Sequence, residues 1–435
     1  MGARRRPLKT VTGVGGAVSV YGAAIDPTVS TVASSIEVAK IAEDNGFDAL
    51  FAADLLSFGA QGAIGAQEPL IFLAALSAVT SRIGLIATVT TTFHHPYNLA
   101  RLFGTLDHVS NGRAAWNAVT SSLGEENYGA EELPSPEQRY ARAAESLEIV
   151  HALFDSWGQG ALTPDGRGGA RLDPELVRPI DYVGEYFTVR GPLNIPPLPQ
   201  RRPVQFQAGQ SAAGIELGAR FAEVVFTSLA TLEDAHAYTA RVRERAARLG
   251  RPEGLPLIMS SLHATFGATE AEALESVRAR AEAIDLDAGR AGLADMLGGG
   301  VDLSGLPLDR PIPEALLPEL ASVNRRRGRV EIFGRLARSG KTLRELIVAA
   351  QDTGHWAAAG TPEQLADAIQ ERYDAGVLDV LSISGLADPR TRDFLVNGLL
   401  PELRRRGVLG VEQVGDTLRA NLELPELAAP AEAVA

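Results

Sequence analysis

Residues 107–121 read DHVSNGRAAWNAVTS and join the end of a predicted helix to a strand through a turn at 111–112. The strand carries Asn117 among apolar residues and ends on the hydroxyls of Thr120 and Ser121. Asparagine is depleted in strands, whereas α/β proteins place ligand-binding groups at the carboxyl ends of their strands. The stretch therefore predicts an α/β fold with a ligand site at the end of this strand.

Helical and strand-like segments alternate along the whole chain, which predicts a parallel (β/α)8 barrel, the TIM-barrel fold. Seven apolar segments rich in strand-forming residues are the predicted strands: Phe47–Ala53, Ile83–Thr91, Arg113–Thr120, Pro203–Ala208, Glu223–Ser228, Leu257–Phe266 and Leu378–Ser384. Val14–Tyr21 is a weaker candidate for the first strand. Predicted helices include 30–45, 68–81, 136–156 and 361–376. An open doubly wound sheet is the alternative, but no glycine-rich turn follows the first strand.

Two segments rich in glycine and proline interrupt this alternation, at about 158–202 and 289–339. Loops of this length in a compact fold are usually functional, so we expect insertions that cover one mouth of the barrel. The chain is expected to form one domain over residues 1–422, followed by a flexible tail at 423–435.

Composition excludes several classes of function. The net charge of −13 argues against a nucleic-acid-binding surface, which is basic. The basic clusters at 4–6, 325–327 and 404–406 are expected to be solvated helix ends or tails. The chain has no cysteine, which excludes disulfides and thiolate nucleophiles, and its seven histidines show no metal-ligand spacing. Without a signal peptide or an apolar spanning segment, we expect a cytoplasmic protein that binds no nucleic acid, membrane or metal.

A second candidate binding segment is 205–214, QFQAGQSAAG, in which a strand ends and a helix begins at Ser211. Gly209 permits a tight turn, and the N–H groups of 209–212 would converge at the helix N-terminus beside the Ser211 hydroxyl. This arrangement suits phosphate, although a serine here is also an ordinary helix cap. The presence of Asn117 at another strand end favours the phosphate interpretation.

Three further places carry groups that are suited to chemistry. Asp54 closes an apolar strand, where it either caps the next turn or, at a barrel mouth, accepts a hydrogen bond from a ligand ring or transfers a proton. His94 and His95 are neighbours and would face opposite ways on a strand, so one of them can face a pocket. Arg139 and Tyr140, near the start of a predicted helix, can reach an anion or lie on the surface.

Beyond these patterns, the sequence resembles the flavin-dependent, bacterial luciferase-like monooxygenases of the nitrilotriacetate, dibenzothiophene-sulfone and pristinamycin IIA synthase group. The matching motifs are AADLLS (52–57), TTTFHHPYNLAR (90–101), LDHVSNGRAAWNAVTS (106–121), RYARAAE (139–145), GPLNIPPLPQRRPVQFQAGQSAAG (191–214), AGTPEQLAD (359–367) and DTLRANL (416–422). They follow the family's order over about residues 45–422. The GRxxWNxVTS and QAGxSxxG motifs, in this order, are the specific ones.

The resemblance implies a (β/α)8 barrel that binds FMN at the strand carboxyl ends. It also implies that a separate NAD(P)H:flavin reductase supplies FMNH2. The FMNH2 would react with O2 to give a flavin (hydro)peroxide, which would pass one oxygen atom to a small organic substrate. Carried over by motif, the catalytic candidates are Asp54, Asn117 and His95. The cofactor-binding candidates are Asp54, Thr91 and Asn117 near the ring or ribityl chain, and Tyr140, Ala208, Gly209, Gln210 and Ser211 around the phosphate. Relatives are commonly dimers or tetramers, so a homodimer or homotetramer is expected.

Three alternatives stay open from the sequence. A protein of the same fold could use a deazaflavin in a redox step without oxygen. The chain could also be a flavin-binding protein without turnover, because region 15–27, GGAVSVYGAAIDP, lacks the aromatic and histidine-rich pattern expected there. An unrelated barrel hydrolase or lyase could use Asp54 with a histidine.

Overall fold

Nine strands form the main sheet of this chain, and eight of them close a barrel. The computed structural model describes residues 5–15, 18–19, 31–57, 63–64, 67–129, 132–325, 327–410 and 414–427. The nine strands are β1 (Lys9–Gly13), β2 (Ala49–Ala52), β3 (Gly84–Thr90), β4 (Ala114–Val119), β5 (Val204–Gln207), β6 (Val224–Thr227), β7 (Leu257–Phe266), β8 (Trp356–Gly360) and β9 (Val380–Ile383).

All neighbouring strands of the barrel run parallel. The order is β1, β2, β3, β4, β5, β6, β7 and β9, and β9 pairs back with β1. β8 lies outside this ring and pairs with the second half of β7, from Leu262 to Phe266. The predicted (β/α)8 barrel is therefore confirmed. An open doubly wound sheet is excluded, because pairing of β6 with β7 closes the ring.

Helices surround the barrel and mostly follow the strands in sequence. The longer ones are α1 (Val32–Asp44), α2 (Pro69–Ser77), α3 (Pro96–Val109), α4 (Pro136–Phe154), α5 (Ala212–Phe221), α6 (Leu232–Arg248), α7 (Glu270–Glu282), α8 (Leu286–Met296), α9 (Arg327–Arg338), α10 (Leu343–Gln351) and α11 (Pro362–Asp374). Shorter helical segments are α12 (Pro389–Asp393), α13 (Leu400–Arg405) and α14 (Leu418–Asn421). Ser135 and Thr361 form capping boxes at the starts of α4 and α11, which explains why these helix starts can be predicted from the sequence.

Side chains alternate along each strand between the barrel interior and the surrounding helices. The interior cluster takes one or more buried residues from every barrel strand, among them Val11, Ala49, Ile86, Ala115, Phe206, Val224, Met259 and Val380. Intervening residues such as Trp116 and Leu262 pack outward in a second cluster. The position of a residue in this alternation therefore decides whether its side chain faces the barrel mouth.

The first strand differs from the prediction, because it is Lys9–Gly13 and not Val14–Tyr21. A search for apolar runs passes over a segment that begins with lysine. Lys9 is nevertheless buried, since its ammonium group pairs with the carboxylate of Glu423 at 3.1 Å. Much of the segment that was predicted instead, including residues 20 and 21, lies outside the described residues.

The two insertions have internal structure. The first carries two short antiparallel hairpins, Leu162–Pro164 with Ala170–Leu172 and Tyr182–Val183 with Thr188–Val189. The second ends in α9, which packs with α8 and α10 around a hydrophobic cluster of its own. Besides its glycine-rich part, this insertion thus contains helices that pack together on the barrel.

Ion pairs hold the second insertion against the barrel. Arg325 pairs with Glu125, and Arg327 Nη1 lies 2.7 Å from Glu137 Oε1. Glu125 belongs to a short helical turn after β4, and Glu137 lies in the first turn of α4. The side chain of Arg325 is 48% exposed and Arg327 is the first residue of α9, which agrees with the expected solvated helix end, and each arginine also has an acidic partner on the barrel side.

The C-terminal segment packs against the end of the barrel opposite its mouth. Arg419 on α14 forms an ion pair with Glu223, and each side chain is 9% exposed. Leu424 is buried in the interior cluster. The packed chain thus includes 423–427 of the expected tail, while 428–435 lie outside the described residues.

Replacing Arg419 with methionine is expected to lower the free energy of unfolding by about 3 kcal/mol, because Glu223 would stay buried without its partner. Urea unfolding followed by circular dichroism measures the change. Arg248→Ala is the control, because it removes the exposed pair with Glu244 and should cost less than about 1 kcal/mol. Equal losses in the two variants would contradict a structural role for the buried pair.

Candidate functional site

Polar side chains occupy inward-facing positions at the carboxyl ends of several barrel strands. Thr88 on β3 and Asn117 on β4 are partners in register, and Asn117 is also the partner of Phe206 from the interior cluster. Ser228 continues the inward face of β6, and His263 continues that of β7. Because the carboxyl ends of parallel barrel strands meet at one mouth, these side chains border a common space.

Asn117 has an unpaired polar atom at this mouth. The residue is 3% exposed, and its Nδ2 donates to Thr88 Oγ1 at 3.1 Å. Its Oδ1 is buried and has no hydrogen-bond partner among the described residues. A buried acceptor without a donor costs about 1–3 kcal/mol. The carbonyl of Asn117 is therefore suited to a donor group on a bound molecule.

The loop after β5 is built on a close approach of two glycines. A Cβ added to Gly214 would lie 2.6 Å from the carbonyl carbon of Gly209, so a side chain there would displace the loop. Ser211 is the N-cap of α5, and its Oγ accepts from the Gly214 N–H at 3.2 Å. Tyr140 on α4 places its Oη 3.5 Å from Ser211 Oγ. The start of α5 and these two hydroxyls together suit an anion such as phosphate.

Gln210 fastens the same loop to β6. Its side chain accepts from the Ser228 N–H at 3.0 Å and donates to the Ser228 carbonyl at 3.1 Å. Ala208, just after β5, is exposed. Gln210 and Ser228 also line a cavity of 610 Å³ between α6 and α9, whose lining includes neither Asn117 nor Ser211. That cavity therefore adjoins the mouth at Ser228 and the phosphate-type loop, residues 209–211, at Gln210.

Asp54 follows β2 in a partly buried, acidic part of the site. Burial, together with the carboxylate of Glu68, raises the pKa of Asp54 to about 6. Burial also lowers the pKa of His94, although Glu68 opposes this shift. The ring of Tyr128 lies edge-on to His94, with centroids 6.3 Å apart, and stacks on Phe93 at 4.5 Å. A carboxyl group that titrates near neutrality in such a place is suited to proton exchange.

Thr91 and His95 lie between β3 and α3, and each makes a local contact. Thr91 is fully buried, and its Oγ1 donates to a carbonyl of β4 at 3.2 Å. His95 is exposed and caps α3, because its Nδ1 accepts from the Tyr97 N–H at 3.2 Å. Its ring lies edge-on to Phe187 of the first insertion, with centroids 5.6 Å apart. Of the two neighbouring histidines, His94 is the one beside the acidic part of the site.

Other side chains of the mouth are not indicated by sequence patterns. His355 stacks on the inward-facing ring of Phe226, with centroids 5.5 Å apart, and its Nε2 lies 3.3 Å from Ser228 Oγ. His263 Nδ1 lies 3.2 Å from Asp352 Oδ1. The alternation along β7 is a signal that could have found His263. No sequence signal indicates the contact with Asp352, which lies 89 residues further along the chain.

The described residues limit the kinds of ligand that the site suits. Among them, no group of three or more His, Cys, Asp or Glu side chains could hold a metal ion. In the same part of the chain, no helix is both long and apolar enough to cross a membrane. The groups at the mouth are amide, hydroxyl, imidazole, carboxyl and backbone N–H, which suit an organic molecule with an anionic end.

The sequence of this chain is similar to those of proteins named as monooxygenases. The family model described as luciferase-like monooxygenase matches residues 14–379. N-acetyl-S-(2-succino)cysteine monooxygenase from Bacillus subtilis (strain 168) is 39% identical over 395 residues, which cover 89% of each protein. Nitrilotriacetate monooxygenase component A from Aminobacter aminovorans is 40% identical over 361 residues, which cover 82% of this chain and 79% of that protein.

Solved structures agree with the sequence comparison. A riboflavin lyase, crystallised with modified FMN and riboflavin, matches with a TM-score of 0.83 and 27% identity over 96% of each chain. The predicted resemblance to the nitrilotriacetate group is thus confirmed. The chain belongs to the luciferase-like monooxygenase family.

Proposed function

We propose that this chain is the oxygenase of a two-component monooxygenase, which uses FMNH2 from a separate NAD(P)H:flavin reductase and O2 to oxygenate a small organic substrate. One observation carries the proposal, a pair of ligand groups at adjacent strand ends. These groups are the unpaired Oδ1 of Asn117 on β4 and the glycine–serine loop after β5. Since β4 and β5 are hydrogen-bonded neighbours, one molecule with a polar ring and a phosphate, such as FMN, can engage both.

The residues of the mouth fit FMN in shape and charge. Asn117 would accept a hydrogen bond from the flavin ring or ribityl chain. Gly209, Ser211 and Tyr140 would surround the phosphate, with Gln210 fixing the loop through β6. Reduced flavin is largely an anion at neutral pH, and the neutral amide of Asn117 does not repel it as a carboxylate would. When bound, the flavin supplies the oxygen chemistry, which protein side chains lack.

Two observations support a separate reductase as the partner. The nitrilotriacetate relative is named as component A, which implies a further component in that enzyme. This chain also lacks the glycine-rich fingerprint of a dinucleotide-binding fold. Reduced flavin would therefore arrive from another protein. The homodimer or homotetramer stays a prediction.

The alternatives have less support than the flavin monooxygenase. F420-dependent enzymes of solved structure are 14% identical to this chain, a likeness that concerns the fold alone. A flavin-binding protein without turnover was raised by region 15–27, of which 16–17 and 20–27 lie outside the described residues. The experiments below distinguish both from the proposal.

The phosphate position is tested by Ser211→Asp. An aspartate still caps α5, but its charge replaces a donor and repels the phosphate. We expect FMN binding to weaken about 10- to 100-fold, because a hydrogen bond to a charged group contributes roughly 1.5–3 kcal/mol. Isothermal titration calorimetry measures the affinities of both FMN and riboflavin.

Ser211→Asn is the matched control, because asparagine caps helices without a charge. Riboflavin lacks the phosphate, so its affinity should be the same in the wild type and both variants. If Ser211→Asp and Ser211→Asn bound FMN equally well, the phosphate would have to lie elsewhere.

Asp54 predicts a pH dependence of reduced FMN binding. Its pKa is raised from 3.8 to about 6, so the carboxyl is neutral below that pH and anionic above it. The anion repels reduced flavin, and affinity should fall as the pH rises through about 6. Asp54→Asn should retain only the dependence that belongs to the flavin itself. Anaerobic fluorescence titrations from about pH 5 to about pH 8 compare the two proteins, and identical profiles would remove Asp54 from the flavin site.

Oxygen transfer is tested with FMN, a flavin reductase, NAD(P)H and isotopically heavy O2. The panel of substrates comprises sulfones, aminocarboxylates, heteroaromatic compounds and lactam-like natural products. We expect one class to gain a single heavy oxygen atom by mass spectrometry, and no label when heavy water replaces heavy O2. Tight FMN binding without any labelled product would favour the flavin-binding protein without turnover. Turnover with a deazaflavin in the absence of O2 would favour that alternative.

A further inference from the structure

His263 reaches from the barrel wall into the mouth. Leu257 and Met259, on the same face of β7, belong to the interior cluster. Ser261 continues this face, and its Oγ lies 3.3 Å from Ser382 Oγ on β9. His263 is the next residue on that face, and its side chain is 34% exposed. The imidazole is therefore accessible at the carboxyl end of a barrel strand, where catalytic groups of this fold lie.

A carboxylate orients this imidazole. Asp352 Oδ1 lies 3.2 Å from His263 Nδ1. A carboxylate only accepts hydrogen bonds, so Nδ1 carries the hydrogen and Nε2 of the neutral ring has a free lone pair. The same carboxylate stabilises the imidazolium that forms when Nε2 takes up a proton. A nitrogen base held in this way is suited to acid–base chemistry.

The turn that carries Asp352 is strained. Thr353 has a φ of +49°, in the left-handed region that β-branched residues avoid, and Gly354 follows with a φ of +78°. The turn joins α10 to β8 and brings the side chains of Asp352 and His355 to β7. Backbone strain of this kind persists where the surroundings require it, commonly at functional sites.

His355 forms a wall beside His263 and not a second acid. The two rings lie 5.2 Å apart, and His355 also stacks on Phe226. Burial, with Arg329 as the next cause, lowers the pKa of His355 to about 2, so this ring stays neutral. Four charged or titratable groups lie near His263. The turn contributes Asp352 and His355, and α9 contributes Arg329. Arg280 on α7 donates a hydrogen bond to Thr265, two residues after His263 on β7. Among these, Asp352 is hydrogen-bonded to the imidazole.

We propose that His263, oriented by Asp352, is the proton-transferring catalytic residue of the oxygenation, an assignment that rests on the proposed function. The net reaction oxidises the reduced flavin anion by two electrons and releases one proton, and a second proton comes from the solvent. One atom of O2 enters the substrate, and the other leaves as water with those two protons. His263 Nε2 accepts one proton while Asp352 stabilises the imidazolium, and Nε2 then gives that proton to the departing oxygen atom.

The assignment differs from the candidate His95 that the family motif suggests. Nδ1 of His95 is engaged with the Tyr97 N–H as a helix cap. Burial, followed by the nearby guanidinium of Arg142, lowers the pKa of His95. A cation beside an imidazole disfavours its protonated form. In His263, by contrast, the carboxylate of Asp352 engages Nδ1 and leaves Nε2 free to exchange a proton.

The test uses the full chain with bound FMN, reduced anaerobically and mixed with aerated buffer in a stopped-flow instrument. Without substrate, the two protons and two electrons pass to O2 as hydrogen peroxide, so no substrate has to be known. The wild type is expected to regenerate oxidised flavin at a rate whose pH profile shows a single protonation step. His263→Gln should slow this rate about 100-fold and flatten its pH profile. Asp352→Asn should slow it less.

Two further variants separate catalysis from a structural effect. His236→Gln changes an exposed histidine on α6 and should keep the wild-type rate and pH profile. His263→Ala should regain part of its rate when free imidazole is added, which a purely structural defect would not allow. FMN affinity, measured by calorimetry, should be equal in all variants.

The outcomes distinguish this inference from the proposed function. Wild-type rate and pH profile in His263→Gln with FMN bound would overturn the role of His263. Should that variant fail to bind FMN, an unchanged rate in Asp352→Asn would overturn the proposal as well. Failure of the wild type itself to bind FMN would overturn the proposed function, and the inference with it.

Discussion

The parallel pairing of β4 with β5 is the constraint on which the candidate site depends. It sets Asn117 opposite Phe206 and brings the ends of both strands to one mouth. A shift of one residue in this pairing would turn Asn117 from the mouth toward the helices. The interior cluster opposes such a shift, because it takes buried side chains from every barrel strand. The register that closes the barrel therefore also aligns the buried carboxamide with the Gly209–Ser211 loop.

The second insertion is tied to the same part of the molecule. Arg139 on α4 donates to the side chain and the carbonyl of Asn324, both at 2.9 Å. The next residue, Tyr140, contacts Ser211 at the start of α5. One turn of α4 therefore contacts both the second insertion and Ser211 of the phosphate-type loop.

Most barrel strands can be predicted from the sequence because they are apolar runs between clear turn signals. The first strand cannot, since Lys9 is buried only through an ion pair with the other end of the chain. Within the site, Asn117 and Ser211 stand out as local patterns at a strand end and a helix start. His263 and Asp352 do not, because the turn at 352–355 brings them together across 89 residues. Local sequence patterns therefore indicate the phosphate-type loop, but they do not indicate His263 and Asp352, the pair proposed to transfer protons.

A crystal structure of the chain with bound FMN would show where the cofactor lies. We expect electron density for FMN in the barrel mouth, with the phosphate within hydrogen-bonding distance of Ser211 Oγ and Tyr140 Oη. The flavin ring or ribityl chain should donate a hydrogen bond to Asn117 Oδ1. FMN bound instead in the cavity between α6 and α9, with no density at the barrel mouth, would rule out the proposed site.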